Sequence, residues 1–343
     1  MDKKNVSMND VAIAAGVSLK TVSRVINEPD SVRESTRDKV HSAMEALGFR
    51  ANFAARSLKL GRYGCIGVVM FHLSGGAVDM IDGIADAAEE RGFALTMIKK
   101  RAGEKMTLAE AARRMSQLPV DGMIFNLRQM VDDFDTFEAP KDLKTVIITP
   151  MEHPTCSTVS DDQEGGARMA CEYFLNHGHK NVYFVSGKKE SLSSQCRMRG
   201  WRAALEARGI EPPEPLQGDW NADSGYAAGL VLADKPDCTA VLAANDCMAN
   251  GVMMALRDKG LSVPDDVSVI GFDDLPLATM VQPALTTLSQ DISQKAHLVV
   301  EMLLRHIRQR GLAPERTLLG TCLVERQSVR RLEPAEPEPG AGS

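Results

Sequence analysis

The stretch that decides the fold runs Asp10-Val11-Ala12-Ile13-Ala14-Ala15-Gly16-Val17-Ser18-Leu19-Lys20-Thr21-Val22-Ser23-Arg24-Val25-Ile26-Asn27. It reads as two short helices joined by a tight turn. In the first, Val11, Ala14 and Ala15 fall on one face at the i, i+3, i+4 spacing. Ser7, with Asp10 three residues on, is placed to cap that helix as a capping box. In Ala15-Gly16-Val17 small side chains let two helices approach, and Gly16 tolerates a positive φ. Ser18 is placed to cap the second helix, whose Val22, Val25 and Ile26 turn inward. Leu19, Lys20, Thr21, Ser23 and Arg24 are left outward, near the end that enters the major groove in a DNA-reading helix-turn-helix. An ordinary helical hairpin would share the same apolar pattern.

Working outward, a polar loop at 28–31 leads to a third helix ending near Leu47. Its apolar stripe is Val40, Ala43, Met44 and Leu47, with Gly48 as a C-terminal stop. Such a head of about fifty residues is marginal on its own. The segment Asn52-Phe53-Ala54-Ala55-Arg56-Ser57-Leu58-Lys59-Leu60-Gly61-Arg62 has helix-forming residues but is too short for an isolated helix. It reads either as a plain linker or as a hinge that orders on DNA and inserts an apolar wedge into the minor groove.

Charge fits that division. Residues 1–62 carry eleven Lys/Arg against seven Asp/Glu, an excess of +4, and the whole chain carries −6, which leaves −10 on the rest. A basic head on an acidic body suits a protein whose head alone meets phosphate. The 343 residues suggest two or three domains, and 44% apolar with 25% charged residues is ordinary for a soluble globular chain. No apolar run reaches the roughly 18 residues needed to span a bilayer, and the polar N-terminus has no signal-peptide pattern. Seven scattered cysteines without a CxxC pair argue against a disulfide framework or zinc site. They fit reduced, mostly buried thiols, so the expected location is cytoplasmic, at the nucleoid when DNA is bound.

From Tyr63 onward apolar strands alternate with amphipathic helices, the pattern of parallel α/β structure. Strands are expected at 65–71, 94–98, 122–125, 145–148, 182–186, 239–243, 267–271 and 317–324. Helices are expected at 79–91, 107–117, 163–177, 195–208, 222–232, 247–259 and 292–310. Two similar βα series suggest two doubly wound lobes. The Pro-, Glu- and Gly-rich tail 331–343 is expected to be disordered. It lacks the leucine heptads of a coiled-coil tetramerisation segment, which favours a homodimer.

Seven stretches in this order resemble a full-length member of the lactose/galactose-repressor family of bacterial transcription regulators. They are DVAxxAGVSxxTVSRVIN (10–27), TRDKVxxAMEALGF (36–49), NFAARSLKxG (52–61), IGVV (66–69), RMRGW (197–201), ANDCMANG (244–251) and DVSVIGFDD (266–274). Arg33 departs from the pattern, since many relatives have a helix-capping Ser there; Ser35 with Asp38 is the substitute cap expected here. The resemblance implies a head at 1–50, a hinge helix at 51–62 and a two-lobed effector-binding and dimerisation body at 63–330. The N-lobe would be about 63–161 with 291–320, and the C-lobe about 162–290 with 321–330, with crossings near 161, 290 and 321. It implies a sugar-responsive repressor on a palindromic operator. Lys20 and Arg24 would read base edges and Leu19 would touch apolar groove atoms. Ser7, Thr21, Ser23 and Asn27 would meet phosphates, and Asn52, Ala55, Leu58 and Lys59 would line the minor groove, with Leu58 as the wedge.

In doubly wound sheets ligands bind beyond the carboxyl ends of the strands. Asn126, Asp161, Asn245, Asp246, Asp273 and Asp274 fall there, with Arg197 near a helix start and Trp220 in a loop. Carboxylate, amide and guanidinium groups can bind adjacent hydroxyls, and an indole can stack on a sugar face. The resemblance places effector contacts on Arg197, Trp220, Asn245 and Asp273, and more weakly on Asp161. Plainer roles stand beside these: Asp246 and Asp274 as local caps, Trp220 as core, and Arg197 as a surface ion-pair partner. His177 and His179 flank Gly178 and suit a helix end better than a metal pair. Gly225-Tyr226-Ala227-Ala228-Gly229 does not follow a strand, which argues against a nucleotide loop. No GxSxG, P-loop or HExxH motif is present, so neither an enzyme nor a bound cofactor is expected. A nucleobase-dependent co-repressed regulator and a sugar-binding receptor are the competing readings.

Overall fold

The computed structural model describes residues 6–28, 31–49, 61–72, 76–101, 103–309 and 311–332. Two compact units result, one running to Cys65 with Pro119–Asp121 added, the other being Ile66–Leu118 with the chain from Gly122.

In the first unit α1 is Met8–Ala15, α2 Leu19–Asn27 and α3 Glu34–Leu47. The expected capping box forms: Ser7 and Asp10 exchange side-chain-to-backbone bonds across the first turn of α1. Ser18 caps α2 by accepting from the Thr21 N–H at 3.1 Å. Gly16 takes the left-handed conformation, φ 67°, that closes α1. Val11, Val22 and Val40 lose all solvent contact, with Val25, Ala12 and Ala43 around them. Ala12 fills the position expected for Ala14, which is exposed, because α1 packs through its 11, 12 and 15 face. The Ser35–Asp38 cap does not form. The N-cap of α3 is Arg33, without a side-chain bond. Starting at Glu34 puts Ser35 inside the first turn, where Glu34 offsets the helix dipole instead.

The second unit contains two six-stranded sheets. The first has the order β11-β5-β4-β3-β1-β2. Its strands are β1 Cys65–Met70, β2 Ala94–Lys99, β3 Gly122–Asn126, β4 Lys144–Ile148, β5 Ser157–Asp161 and β11 Arg316–Leu319. The second has the order β12-β10-β9-β8-β6-β7. It consists of β6 Val182–Ser186, β7 Leu216–Gln217, β8 Ala240–Ala243, β9 Ser268–Phe272, β10 Thr286–Ser289 and β12 Cys322–Val324. The pairs β1–β3, β3–β4, β6–β8 and β8–β9 are parallel, and β12 pairs antiparallel with β10. The chain passes from the first sheet to the second after Asp161, returns after Ser289, and leaves again between Leu319 and Cys322. The single strand expected at 317–324 is therefore two strands in different sheets.

Helices pack on these sheets: α4 Ala77–Glu89, α5 Leu108–Met115, α6 Gln163–Asn176, α7 Leu192–Glu206, α8 Ala222–Ala233, α9 Asp246–Asp258, α10 Leu277–Met280 and α11 Ile292–Arg308. α7 begins a turn before the expected 195, because Ser191 serves as its N-cap. Trp201 on α7 is wholly buried; it stacks 5.3 Å from Phe184 and donates to the Val182 carbonyl at 2.9 Å. Burial of a side chain that large stabilises by roughly 1.5–3 kcal/mol or more. The Gly225 region packs helix on helix: a Cβ at Gly225 would lie 2.1 Å from the Met248 carbonyl oxygen, and one at Gly251 2.0 Å from that of Ala222. Those glycines let α8 and α9 touch backbones. Five cysteines are buried, Cys247 is half-buried and Cys322 is exposed.

Candidate functional site

In the head, Ser18 and the inward valines fix α2 so that its N-terminal end faces out. Leu19 is 47% exposed, and Lys20 and Arg24 are exposed one turn apart. The other expected contacts have internal bonds. Thr21 Oγ1 lies 2.8 Å from Ser18 Oγ, and the Asn27 amide donates to the Ser23 carbonyl at 2.7 Å. The exposed Ser7 hydroxyl donates to Asp10. Two cations and an apolar side chain therefore form the outward end of α2. Asn52, Ala55, Leu58 and Lys59 lie outside the described residues.

In the body, three of the five expected effector residues meet where the chain passes between the sheets. Arg197 on α7 is 4% exposed and sits with its guanidinium 3.5 Å from the Phe272 ring centroid. It donates to Gln163 Oε1 at 2.8 Å, to Asp273 Oδ1 at 3.0 Å and to the Ala244 carbonyl. Its plain role as a surface ion-pair partner is thereby replaced by a buried hub. Asp273, just past β9, also accepts from Gln290 Nε2 at 2.6 Å, and Gln290 accepts from Gln163 Nε2 at 2.9 Å. Asp161, the last residue of β5, is 2% exposed and pairs with Lys295 on α11. Its other oxygen, Oδ1, is buried with no hydrogen-bond partner. A buried acceptor left open is costly unless something donates to it.

Backbone strain marks the same place. Asp273 has φ 103°, Asp274 φ 51° and Trp220 φ 81°, conformations that non-glycine residues seldom adopt. Trp220 is partly exposed, lies against Gly187, and places its ring 5.7 Å from the Arg197 guanidinium. Asn245 caps α9 by accepting from the Met248 N–H at 2.9 Å and donates to the Trp220 carbonyl at 3.0 Å. Asn126 ends β3 and is buried.

Two acidic candidates have structural partners. The cap expected of Asp246 belongs to Asn245; Asp246 is fully buried and accepts from Thr287 Oγ1 at 2.5 Å and the Leu275 N–H at 2.7 Å. Burial pushes its carboxyl up to about 7, against those two bonds. Asp274 pairs with Arg326 at 2.7 Å rather than serving as a cap. His177 ends α6, while His179 contacts Thr239 Oγ1 and the Arg330 carbonyl, each at 3.1 Å.

Sequence reasoning missed Gln163, Gln290 and Lys295, which complete the network, and His72 and Arg128 beside it. Gln163 and Gln290 directly follow the chain's passages between sheets, which was the available signal. A cavity of about 260 Å³ opens elsewhere, among Glu138, Lys141, Lys144, Cys156 and His306 at the amino ends of β4 and β5. Doubly wound sheets place ligands at the opposite ends. Among the described residues no group of three or more His, Cys, Asp or Glu could hold a metal. No helix among them is long and apolar enough to cross a membrane.

Residues 7–52 match the family of bacterial regulatory proteins of the lacI type, and residues 171–329 match a periplasmic binding protein-like domain. The ribose operon repressor of Escherichia coli (strain K12) is 30% identical over 336 residues, covering 94% of this chain and 99% of its own. The chain belongs to the lacI family of bacterial regulatory proteins. The HTH-type transcriptional repressor PurR of Vibrio parahaemolyticus serotype O3:K6 (strain RIMD 2210633) is also 30% identical, over 95% of this chain and 99% of its own. The fold agrees: the lac repressor dimer bound to operator and the anti-inducer ONPF superposes with a TM-score of 0.80 at 28% identity, covering 95% of this chain and all of that one. As a lacI-family member the protein is a DNA-binding transcriptional regulator.

Proposed function

We propose that the protein is a homodimeric repressor of a carbohydrate-utilisation operon, released from a palindromic operator when a sugar or sugar derivative binds between its lobes. The observation that carries this is the buried network Asp161–Gln163–Arg197–Asp273–Gln290, which ties together segments of both sheets. It belongs to two of the three passages between the lobes, so a ligand that rearranges it changes how the lobes meet.

Asp161, Asp273 and the face of Trp220 are the groups suited to a polyol: acceptors for its hydroxyls and an apolar plane for its ring. Arg197 and Asn245 hold those groups in place and contact the ligand through remaining donors. On the DNA side Lys20 and Arg24 read base edges, Leu19 contacts apolar groove atoms, and Ser7, Thr21, Ser23 and Asn27 position the head on phosphates. Asn52, Ala55, Leu58 and Lys59 form the connector to the minor groove, with Leu58 as the wedge. A ligand shifts DNA affinity only by its differential binding to two lobe arrangements, typically about 1–3 kcal/mol of coupling.

A gel shift with full-length protein and palindromes from upstream of the neighbouring genes tests this. Release by a member of a sugar panel is expected. Tightening by a nucleobase, with no response to sugars, would replace it with the co-repressor reading that the similarity to PurR favours.

A further inference from the structure

A single carboxylate holds the chain just past the connector. Tyr63 and Gly64 are the first residues after the connector expected at 51–62. The Tyr63 N–H donates to Asp121 Oδ1 and the Gly64 N–H to Asp121 Oδ2, each at 2.7 Å. The Asp121 N–H in turn donates to the Cys65 carbonyl at 2.8 Å. Three bonds therefore tie residues 63–65 to one residue far along the sequence. Gly64 takes the left-handed conformation, φ 61°, that turns the chain from this grip into β1. All of these residues belong to the first compact unit.

Asp121 itself is held firmly. It directly precedes β3, which lies between β1 and β4 in its sheet and is buried at all five positions. A Cβ at Gly122 would lie 2.9 Å from Leu303 and Ile307, so α11 packs straight onto the first residue of the strand. Each carboxylate oxygen takes one N–H, and such charge-assisted bonds are shorter and stronger than neutral ones. Elsewhere in the chain a carboxylate with two consecutive N–H groups serves a helix: Asp133 accepts from Leu108 at 2.9 Å and Ala109 at 2.8 Å, at the start of α5. Asp121 has no helix to serve. Tyr63 and Gly64 lead into a strand, and what they follow is the connector.

We infer that Asp121 is the anchor of the connector: a positioning residue that fixes the path of the chain between the connector and β1, and so lessens the ordering that operator binding requires. This rests on the reading above that the connector meets the minor groove. Ordering the backbone of one residue costs about tenfold in an equilibrium constant. Without Asp121, residues 61–64 would carry that cost into the operator complex. Binding to random duplex is electrostatic and needs no ordered connector, so it would not carry it. The sign is diagnostic. Removing a negative charge by itself tightens binding to phosphate, whereas losing the anchor weakens binding, and on the operator alone.

The test is the affinity of the full-length protein for a palindrome from its own genome and for random duplex. Asp121→Asn keeps the shape of the side chain but offers one acceptor oxygen to two N–H groups. It is expected to lose about tenfold or more on the palindrome and less than about twofold on random duplex. Gly64→Ala, strained at φ 61°, should lose affinity in the same pattern, and the double variant no more than the larger single loss, because both break one anchor. Asp133→Asn, which removes the same kind of bond from α5, should leave both affinities unchanged. Hydrogen exchange reads the anchor directly: the Tyr63 and Gly64 amides should exchange about tenfold faster or more in Asp121→Asn, and at the wild-type rate in Asp133→Asn. Circular dichroism establishes that each variant is folded; should Asp121→Asn not fold, Gly64→Ala carries the test. Unchanged palindrome affinity in the folded variants, equal losses on both duplexes, additive losses in the double variant, or wild-type exchange at 63–64 overturns the anchor. Leu58→Ala separates the two readings. If it lowers palindrome affinity and Asp121→Asn does not, only the anchor falls; if neither does, the minor-groove reading falls with it; if Asp121→Asn alone does, the wedge falls and the anchor stands.

Discussion

Lys295 and Asp161, 134 residues apart, form an ion pair from which water is almost excluded. It fastens α11, which follows the return to the first sheet, to the end of β5, where the chain left that sheet. Lys295→Met is expected to lower unfolding stability by about 3–5 kcal/mol, because it strands a buried carboxylate. Asp161→Asn combined with Lys295→Met should recover much of that loss. Chemical denaturation of the wild type and the two variants measures it. A loss below about 1 kcal/mol for Lys295→Met would show that the pair is solvated.

Asp246 gives a pH signature. Its carboxyl is pushed up from 3.8 to about 7 by burial, in part against the bonds from Thr287 and Leu275. A folded value above the unfolded one means the protonated form favours the fold. That contribution is fully present below about pH 4 and is lost as pH rises through about 7. Asp246→Asn lacks this titration. The melting temperature of the wild type minus that of Asp246→Asn should therefore fall from pH 5 to about pH 7 and level off above it. A constant difference across that range would remove Asp246 as the titrating group.

Much of the fold was legible because its parallel strands are buried on both faces and read as apolar runs: Val182–Ser186 appears with the expected bounds. β5 and β10 were not, since they carry Ser157, Thr158, Ser160, Thr286 and Thr287. All five are buried, and their hydroxyls find partners only in the fold: Ser157 with His306, Thr287 with Asp246. Missing those strands hid the residues after them. Gln163 and Gln290, 127 apart, are ordinary polar residues until the two passages between sheets bring them together. Lys295 sits on an amphipathic helix and looks like a solvent-facing lysine. Arg197, Trp220 and Asp273 stood out by their places near strand ends, a helix start and a loop, and the family resemblance implied them as a contact set without the bonds that hold it.

Arg24 separates base reading from phosphate contact. Arg24→Ala is expected to cost roughly 1–3 kcal/mol on operator DNA and much less on random duplex, with relaxed preference at one base position. Competition binding against single-base operator variants reads this. A small, uniform loss across all sequences would assign Arg24 to the phosphate backbone.

Under the proposed function Asp273 is the residue through which the network answers to the ligand. In Asp273→Ala the effector-induced change in operator affinity is expected to vanish, because Arg197 and Gln290 lose their shared acceptor. Operator titrations with and without effector measure this. A response of wild-type size would exclude Asp273 from the coupling.

Fluorescence anisotropy of the full-length protein on a palindrome from its own genome and on random duplex, at about 0.15 M salt, tests the central claim most directly. The account predicts a preference of about a thousandfold or more for the palindrome, reduced about 5- to 150-fold by the effector. Equal affinity for both duplexes, whatever sugar is added, would contradict it.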